Sequence, residues 1–224
     1  MPLRNRSELA TKFTYNPHNE TWQTHKVRVV VDKKPFAQGG MRVCMKLYEL
    51  EDSGDFVPCV AKVFKKETNS KEYFDEALTQ MAAECFAQEF NKLKTKWKVS
   101  FLPVNVMMLN ERNGQLCNVE PLLLGDYVKH NDNDGNVETS EQLPQAFTHF
   151  TWEASRHMLI VCDIQGLADC YTDPQIHSID GQSFGRGNLG QHGILKFFKT
   201  HKCNRICQAL KLPPTDRKIA DRQV

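Results

Sequence analysis

VCDIQGLADCYTDPQIHSIDG, residues 161–181, sets Asp163, Gln165 and Asp173 in a stretch that carries no lysine or arginine. Two carboxylates and a nearby amide offer oxygen ligands of the kind a hard cation takes, and magnesium holds such ligands together with a substrate phosphate. The apolar run MLIVC, residues 158–162, reads as a buried strand, which puts Asp163 at the strand's exit, its side chain facing a cleft while its backbone stays fixed. Each residue also has a plainer reading: Asp163 caps a turn, Gln165-Gly166 forms it, and Asp173-Pro174 opens the next loop. The remainder of the chain separates the two.

At 224 residues the chain is long enough to bury a substantial core as one large domain or two small lobes. A hydrophobic content of 40%, a charged content of 25% and a net charge of +2 describe an ordinary globular protein, excluding the disordered and strongly nucleic-acid-seeking classes. MPLRNRSELATKF, at the start, has no apolar core of signal-peptide length, and no run approaches a membrane span. The expected location is the cytoplasm, with no membrane partner. Of the eight cysteines, Cys44, Cys59, Cys85 and Cys162 stand in apolar settings, and without a secretory signal reduced thiols are expected.

Residues 27–31 (VRVVV), 42–48 (RVCMKLY) and 57–64 (VPCVAKVF) read as strands of an antiparallel meander, separated by QGG and EDSGD. Between residues 71 and 93 the period changes, with Phe74, Leu78, Met81 and Cys85 forming an apolar stripe that Ala82, Phe86 and Phe90 widen; this predicts a helix packed on the sheet. Two more strands are expected at 104–109 and 115–120, and the polar run KHNDNDGNVETSEQ, residues 129–142, reads as an exposed loop. Ser140 is the expected N-cap of a helix carrying Leu143, Phe147 and Phe150, with Pro144 in its first turn. After the strand at Met158 an irregular stretch is expected as far as about Gly193, and then a last helix from near Cys203 that carries Ile206 and Leu210 and stops before Pro213-Pro214.

KTHKCNRICQAL sets His201, Cys203 and Cys207 close together, the two thiols on one helical face and His201 before a bend. Three soft ligands so close make most of a tetrahedral zinc site, and His149, a polar ring among Phe147, Phe150 and Trp152, is the candidate for the fourth. A pair of core cysteines beside an unrelated histidine fits the same spacing. Lys62, between Ala61 and Val63 in mid-strand, either reaches a nucleotide phosphate in a cleft or occupies an exposed strand position. Gly39 and Gly40, followed by Arg42 in PFAQGGMR, suit a phosphate turn or a plain hairpin. Gly187, Gly190 and Gly193 in GRGNLGQHG follow no strand and open no dinucleotide-binding unit, so a flexible loop over the cleft is expected. Lys196, Lys199, Lys202, Arg205, Lys211, Arg217 and Lys218 read as a solvated face, because no aromatic platform interleaves them; nucleic acid is not an expected partner.

In order, PFAQGGMR, VAKVF, NVEPLLLGDYVKHN, PQAFTHFTWEAS, LIVCDIQG, YTDPQIH, GNLGQHG and THKCNRIC resemble the atypical alpha-kinase family, most closely its elongation factor 2 kinase and myosin heavy chain kinase type. None of the HRD, DFG or APE signatures of conventional protein kinases is present. The resemblance implies an α+β, two-lobed protein-kinase-like fold. Residues 1–119 would form an N-lobe of antiparallel sheet with one helix, and residues 120–224 a C-lobe with a structural zinc site, the hinge lying near Glu120. It further implies that Lys62 binds phosphate, that Gly39, Gly40, Met41 and Arg42 form the phosphate loop, and that Glu120 and the backbone near Leu123 meet adenine with Lys129 close by. Asp163 and Gln165 match the magnesium pair, and Asp173 the aspartate facing the acceptor hydroxyl, although the proton-acceptor role is also given to the position of Asp163. Asn188 is expected near nucleotide or peptide, and His149, His201, Cys203 and Cys207 match the zinc ligands.

The activity so implied is ATP-dependent phosphorylation of Ser or Thr in a protein, with elongation factor 2 and myosin heavy chain as candidate substrates. Magnesium and Lys62 would offset the charge of the transferring group while an aspartate orients the attacking hydroxyl. Lys62→Ala and Asp163→Ala are each expected to abolish phosphorylation with the fold intact. The alternative is a catalytically inactive kinase-like module that binds phosphopeptides.

Overall fold

The computed structural model describes residues 3–17 and 19–214; Arg217 and Lys218 of the basic tail lie outside the described residues. After a single 3-10 turn, the chain runs through strands β1 (Glu8–Asn16), β2 (Thr21–Gln38), β3 (Arg42–Leu50) and β4 (Phe56–Phe64) into helix α1 (Ser70–Lys92). Strands β5 (Ser100–Phe101), β6 (Asn105–Leu109), β7 (Gln115–Pro121) and β8 (Val128–Lys129) precede helix α2 (Gln142–Ala154). Then come β9 (Leu159–Cys162), β10 (Gln165–Leu167), β11 (Cys170–Thr172), β12 (Gln175–Ser178), α3 (Gly190–Thr200) and α4 (Arg205–Ala209). These elements form two compact units: residues up to Ala77 with Pro103–Leu124, and Leu78–Leu102 with the residues from Gly125 onward.

The first unit is a closed barrel in the order β1-β2-β3-β4-β7-β6. The expected meander closes because β1, which the sequence pattern did not reveal, pairs antiparallel with both β2 and β6. Alternate residues face inward as a pleated strand requires: Val29 and Val31, Cys59 and Ala61, Met107 and Leu109, Cys117 and Val119 share one buried cluster with Ala10 and Leu47. Strand β2 extends well past residues 27–31, with its register breaking on either side of Pro35, where a ladder donor is missing.

Helix α1 begins where the Asn69 side chain accepts from the Lys71 N–H at 2.9 Å. Its buried residues are Tyr73, Ala77, Thr79, Gln80, Ala83, Ala87 and Phe90; of the expected stripe Phe90 is fully buried and Ala82 and Phe86 pack against the core, whereas Cys85 is exposed. Small alanines permit the closest approach, so the bulkier Phe74, Leu78 and Met81 flank the contact. Phe74 meets the edges of the Phe13 and Trp22 rings at 5.5 and 4.9 Å.

In the second unit a sheet in the order β5-β11-β10-β8 and the antiparallel pair β12-β9 surround a core that includes Phe90, Phe101, Phe147, Val161, Ile164, Tyr171 and Ile176. Four sequence expectations change here. The stretch from Asp163 to Gly193 holds three short strands and the start of α3, and is irregular as expected only between Ile179 and Leu189. Helix α2 starts after Glu141 with no side-chain cap, so Ser140 does not cap it. In the polar run after Lys129, His130 and Asn131 are buried. The last helix starts at Arg205, capped by Asn204, which leaves Cys203 outside it. No described helix is long and apolar enough to cross a membrane, and all eight cysteines are free.

Candidate functional site

Lys62 settles one of the open readings at once, being only 5% exposed in the middle of β4. Its ammonium lies 2.5 Å from the Glu120 carboxylate on the neighbouring strand β7, and that carboxylate is equally buried. A charge taken out of water needs such a partner. Arg42, at the start of β3, pairs with Glu76 of α1 at 3.1 Å, and its guanidinium stands over the Phe64 ring. Between β2 and β3, Gly39 donates its N–H to the Arg42 carbonyl at 2.9 Å, closing a tight turn; a side chain at Gly39 or Gly40 would project into open space. Met41 is exposed in this turn, and Leu123, half-buried, lies just after β7.

Asp163 follows β9 directly, in the second unit, and takes a left-handed backbone with φ of 56°. Lys129 of β8 reaches its carboxylate at 2.6 Å. Burial raises the Asp163 carboxyl above its ordinary range; the Lys129 ammonium opposes that, and the charges of Asp173 and Asp132 add to it. Asp173 is also left-handed, with φ of 52°. Backbone strain of this kind in non-glycine residues persists only where neighbours hold it. The Gln165 amide donates to the main-chain carbonyls of both Asp163 and Asp173 at 3.3 Å, which ties the three residues singled out in the sequence into one cluster. A buried carboxylate repelled by other carboxylates is a ligand that a divalent cation would relieve, so the Asp163 carboxylate suits magnesium.

The glycine-rich segment packs closely against β12 at two of its glycines. A side chain at Gly187 would collide with the Gln175 carboxamide, and one at Gly193 with the His177 ring. Two side chains of β12 therefore fill the space that these glycines vacate. Asn188 accepts from the N–H groups of Ser178 and Gly190 at 3.1 and 2.8 Å and donates to the Ser178 hydroxyl and Ser183 carbonyl, stapling the entry to α3.

His149, His201, Cys203 and Cys207 present four donor atoms within 4.8 Å of one another. His201 Nε2 is 3.2 Å from His149 Nδ1, Cys203 Sγ is 3.7 Å from His149 Nδ1, and Cys207 Sγ is 3.8 Å from His201 Nε2. Tetrahedral zinc bonds imply edges of roughly 3.3 Å between nitrogens and roughly 3.6 Å between nitrogen and sulfur. The donor set therefore fits zinc. His149 comes from α2, His201 is the C-cap of α3, Cys203 lies in the link and Cys207 in α4, so the two thiols do not share one helical face as the spacing suggested. Burial lowers both histidines, His201 to about 3 with His149 adding to the effect, which keeps them neutral with a lone pair to offer. The Glu153 carboxylate, 3.9 Å from His149 Nε2, is placed to orient the ring.

Residues 37–207 match the model of the alpha-kinase family. The chain belongs to the alpha-kinase family. Myosin heavy chain kinase B of Dictyostelium discoideum is 43% identical over 211 residues, which cover 92% of this chain and 29% of that protein. Eukaryotic elongation factor 2 kinase of Rattus norvegicus is 38% identical over 222 residues, covering 94% of this chain and 30% of that protein. The chain thus spans less than a third of either relative. The solved alpha-kinase domain of myosin heavy chain kinase A in complex with ADP superposes with a TM-score of 0.88 at 36% identity, covering 93% of this chain and 97% of that one. The same domain in complex with AMP-PNP gives a TM-score of 0.88 at 35% identity, over 93% and 97%. The alpha-kinase fold here is accordingly α+β and two-lobed. Within it, the sequence reading missed Asn131, whose side chain accepts from the Ile164 N–H at 2.7 Å, and Gln80, whose side chain accepts from the Asp173 N–H at 2.9 Å. Both are polar residues whose only sequence signal is an amide side chain.

Proposed function

We propose that this alpha-kinase domain transfers the γ-phosphoryl group of ATP to a Ser or Thr hydroxyl of a protein. The observation that carries the reading is the pair of left-handed aspartates, Asp163 and Asp173, joined through Gln165, with Asp163 buried against Lys129. Lys62, paired with Glu120, binds ATP phosphate, and the turn of Gly39, Gly40, Met41 and Arg42 covers it. Glu120, the backbone near Leu123 and Lys129 serve the nucleotide, and Asn188 holds the segment beside it. Asp163 and Gln165 would hold magnesium, which when bound neutralises charge on the transferring phosphoryl group. Asp173 orients the incoming hydroxyl. His149, His201, Cys203 and Cys207 would hold structural zinc, which joins α2, α3 and α4. From the names of the relatives, elongation factor 2 and myosin heavy chain are the first substrates to try.

The test is incubation with labelled ATP and magnesium, followed by mapping of phosphorylated residues on the chain and on a helical threonine peptide. Transfer by the wild type and none by Asp163→Asn is the expected result. Undiminished transfer by Asp163→Asn would overturn the site assignment, and phosphopeptide binding without any transfer would make the chain a recognition module.

A further inference from the structure

We infer that Gln80 is a positioning residue for Asp173, acting on phosphoryl transfer through that aspartate's main chain; the inference rests on the role proposed for Asp173. Asp173 stands between the last residue of β11 and Pro174, with φ of 52°. A left-handed backbone is unfavourable for an L-residue, and Asp173, whose N–H needs a partner, lies outside both β11 and β12. That N–H donates instead to Gln80 Oε1 at 2.9 Å, while the Asp173 carbonyl accepts from Gln165 at 3.3 Å. Two glutamine amides thus hold the two sides of one strained residue.

Gln80 is itself fixed. It is 4% exposed on the inner face of α1, and its Nε2 donates to the Leu102 carbonyl at 2.8 Å. That bond decides which end of the amide faces Asp173. The N–H of Leu102 in turn donates to the Tyr171 carbonyl at 2.9 Å, so the carboxamide is anchored to the strand that leads into Asp173. The Thr172 hydroxyl adds a second donor to Gln80 Oε1 at 3.4 Å. Loss of this acceptor weakens the hold on the Asp173 main chain, which favours relaxation of the backbone to an extended conformation and rotation of the carboxylate away from its target. Misplacement of a reacting group by about 1 Å costs on the order of 100-fold in rate.

Gln80→Met keeps the volume and removes all three of these bonds. It should lower kcat by about 10–100-fold while KM for ATP stays within about twofold. Gln80→Glu discriminates further. Protonated, it reproduces these bonds; ionised, it repels the Leu102 carbonyl, so its activity should approach wild type at low pH and fall more steeply than wild type as pH rises. Hydrogen exchange reports independently of catalysis: the Asp173 amide should be protected in wild type and exchange at least about 10-fold faster in Gln80→Met. Wild-type kcat in Gln80→Met, or unchanged protection of that amide, would overturn the inference. If Asp173→Asn retains full activity, the proposed role of Asp173 fails instead; if Asp173→Asn is inactive and Gln80→Met is not, only the present inference fails.

Discussion

Lys62 and Glu120 form a buried ion pair, so removing one charge leaves the other poorly compensated. Lys62→Ala should therefore cost roughly 3–5 kcal/mol of stability in addition to activity. This amends the expectation of an inactive but intact protein. The double variant Lys62→Met with Glu120→Gln should recover most of the lost stability while remaining inactive, and urea denaturation of the set measures the difference. His177 gives a pH prediction. Its Nε2 donates to the Asn133 carbonyl at 2.8 Å and its Nδ1 accepts from the Leu189 N–H at 3.0 Å, which only the neutral ring can do. Burial lowers its pKa below 6.5, Asp134 opposing and Lys196 assisting. The unfolded chain then takes up the proton first, so the contribution of His177 is complete above pH 6.5 and is lost as pH falls through the folded value. The urea midpoint should fall on acidification from neutral pH, and less so in His177→Gln; an equal slope in both would contradict this. Lysine inside an apolar strand, aspartate at a strand exit and clustered histidine and cysteine are conspicuous in a sequence because their chemistry is out of place there. Gln80 and Asn131 are not, because an amide on a helix or in a polar loop looks like a surface residue until its backbone partners are known.

Among the elements, the long strands of the barrel were legible because alternation over seven or more residues is unmistakable, whereas β10, β11 and β12 have only three or four residues each. Strand β1 hid for another reason. Its inward side passes from Ala10 to Lys12, whose ammonium bonds Glu49 at 2.8 Å, so a charge occupies a position where the pattern predicts an apolar residue. The glycine spacing in the segment before and within α3 was visible, but its cause was not, since the side chains that fill the gaps come from β12. Gly193→Ala tests that cause. In an exposed helix the change would stabilise by about 1 kcal/mol; against the His177 ring it should destabilise by about 1–3 kcal/mol. Calorimetry decides the sign.

For the whole molecule, the four donors from three helices and a link predict a structural metal. Purified chain should carry about one zinc, and chelation should lower Tm by more than about 5 °C, reversibly on zinc return. A folded, zinc-free protein with undiminished Tm would remove the assignment. The family and its two-lobed architecture were readable from ordered blocks along the chain. The path of the chain between units was not, because it depends on which strands pair at long range.

That path has a consequence for anyone dissecting the protein. The polypeptide leaves the barrel unit after Ala77, returns at Pro103 and leaves again after Leu124. A ribosome therefore delivers the final two staves, β6 and β7, only after the intervening segment has emerged, and no N-terminal fragment that ends before them can close its hydrogen-bond circuit. Neither half is a cassette that one cut can free, because segments of the two units alternate along the chain and would still alternate after any circular permutation.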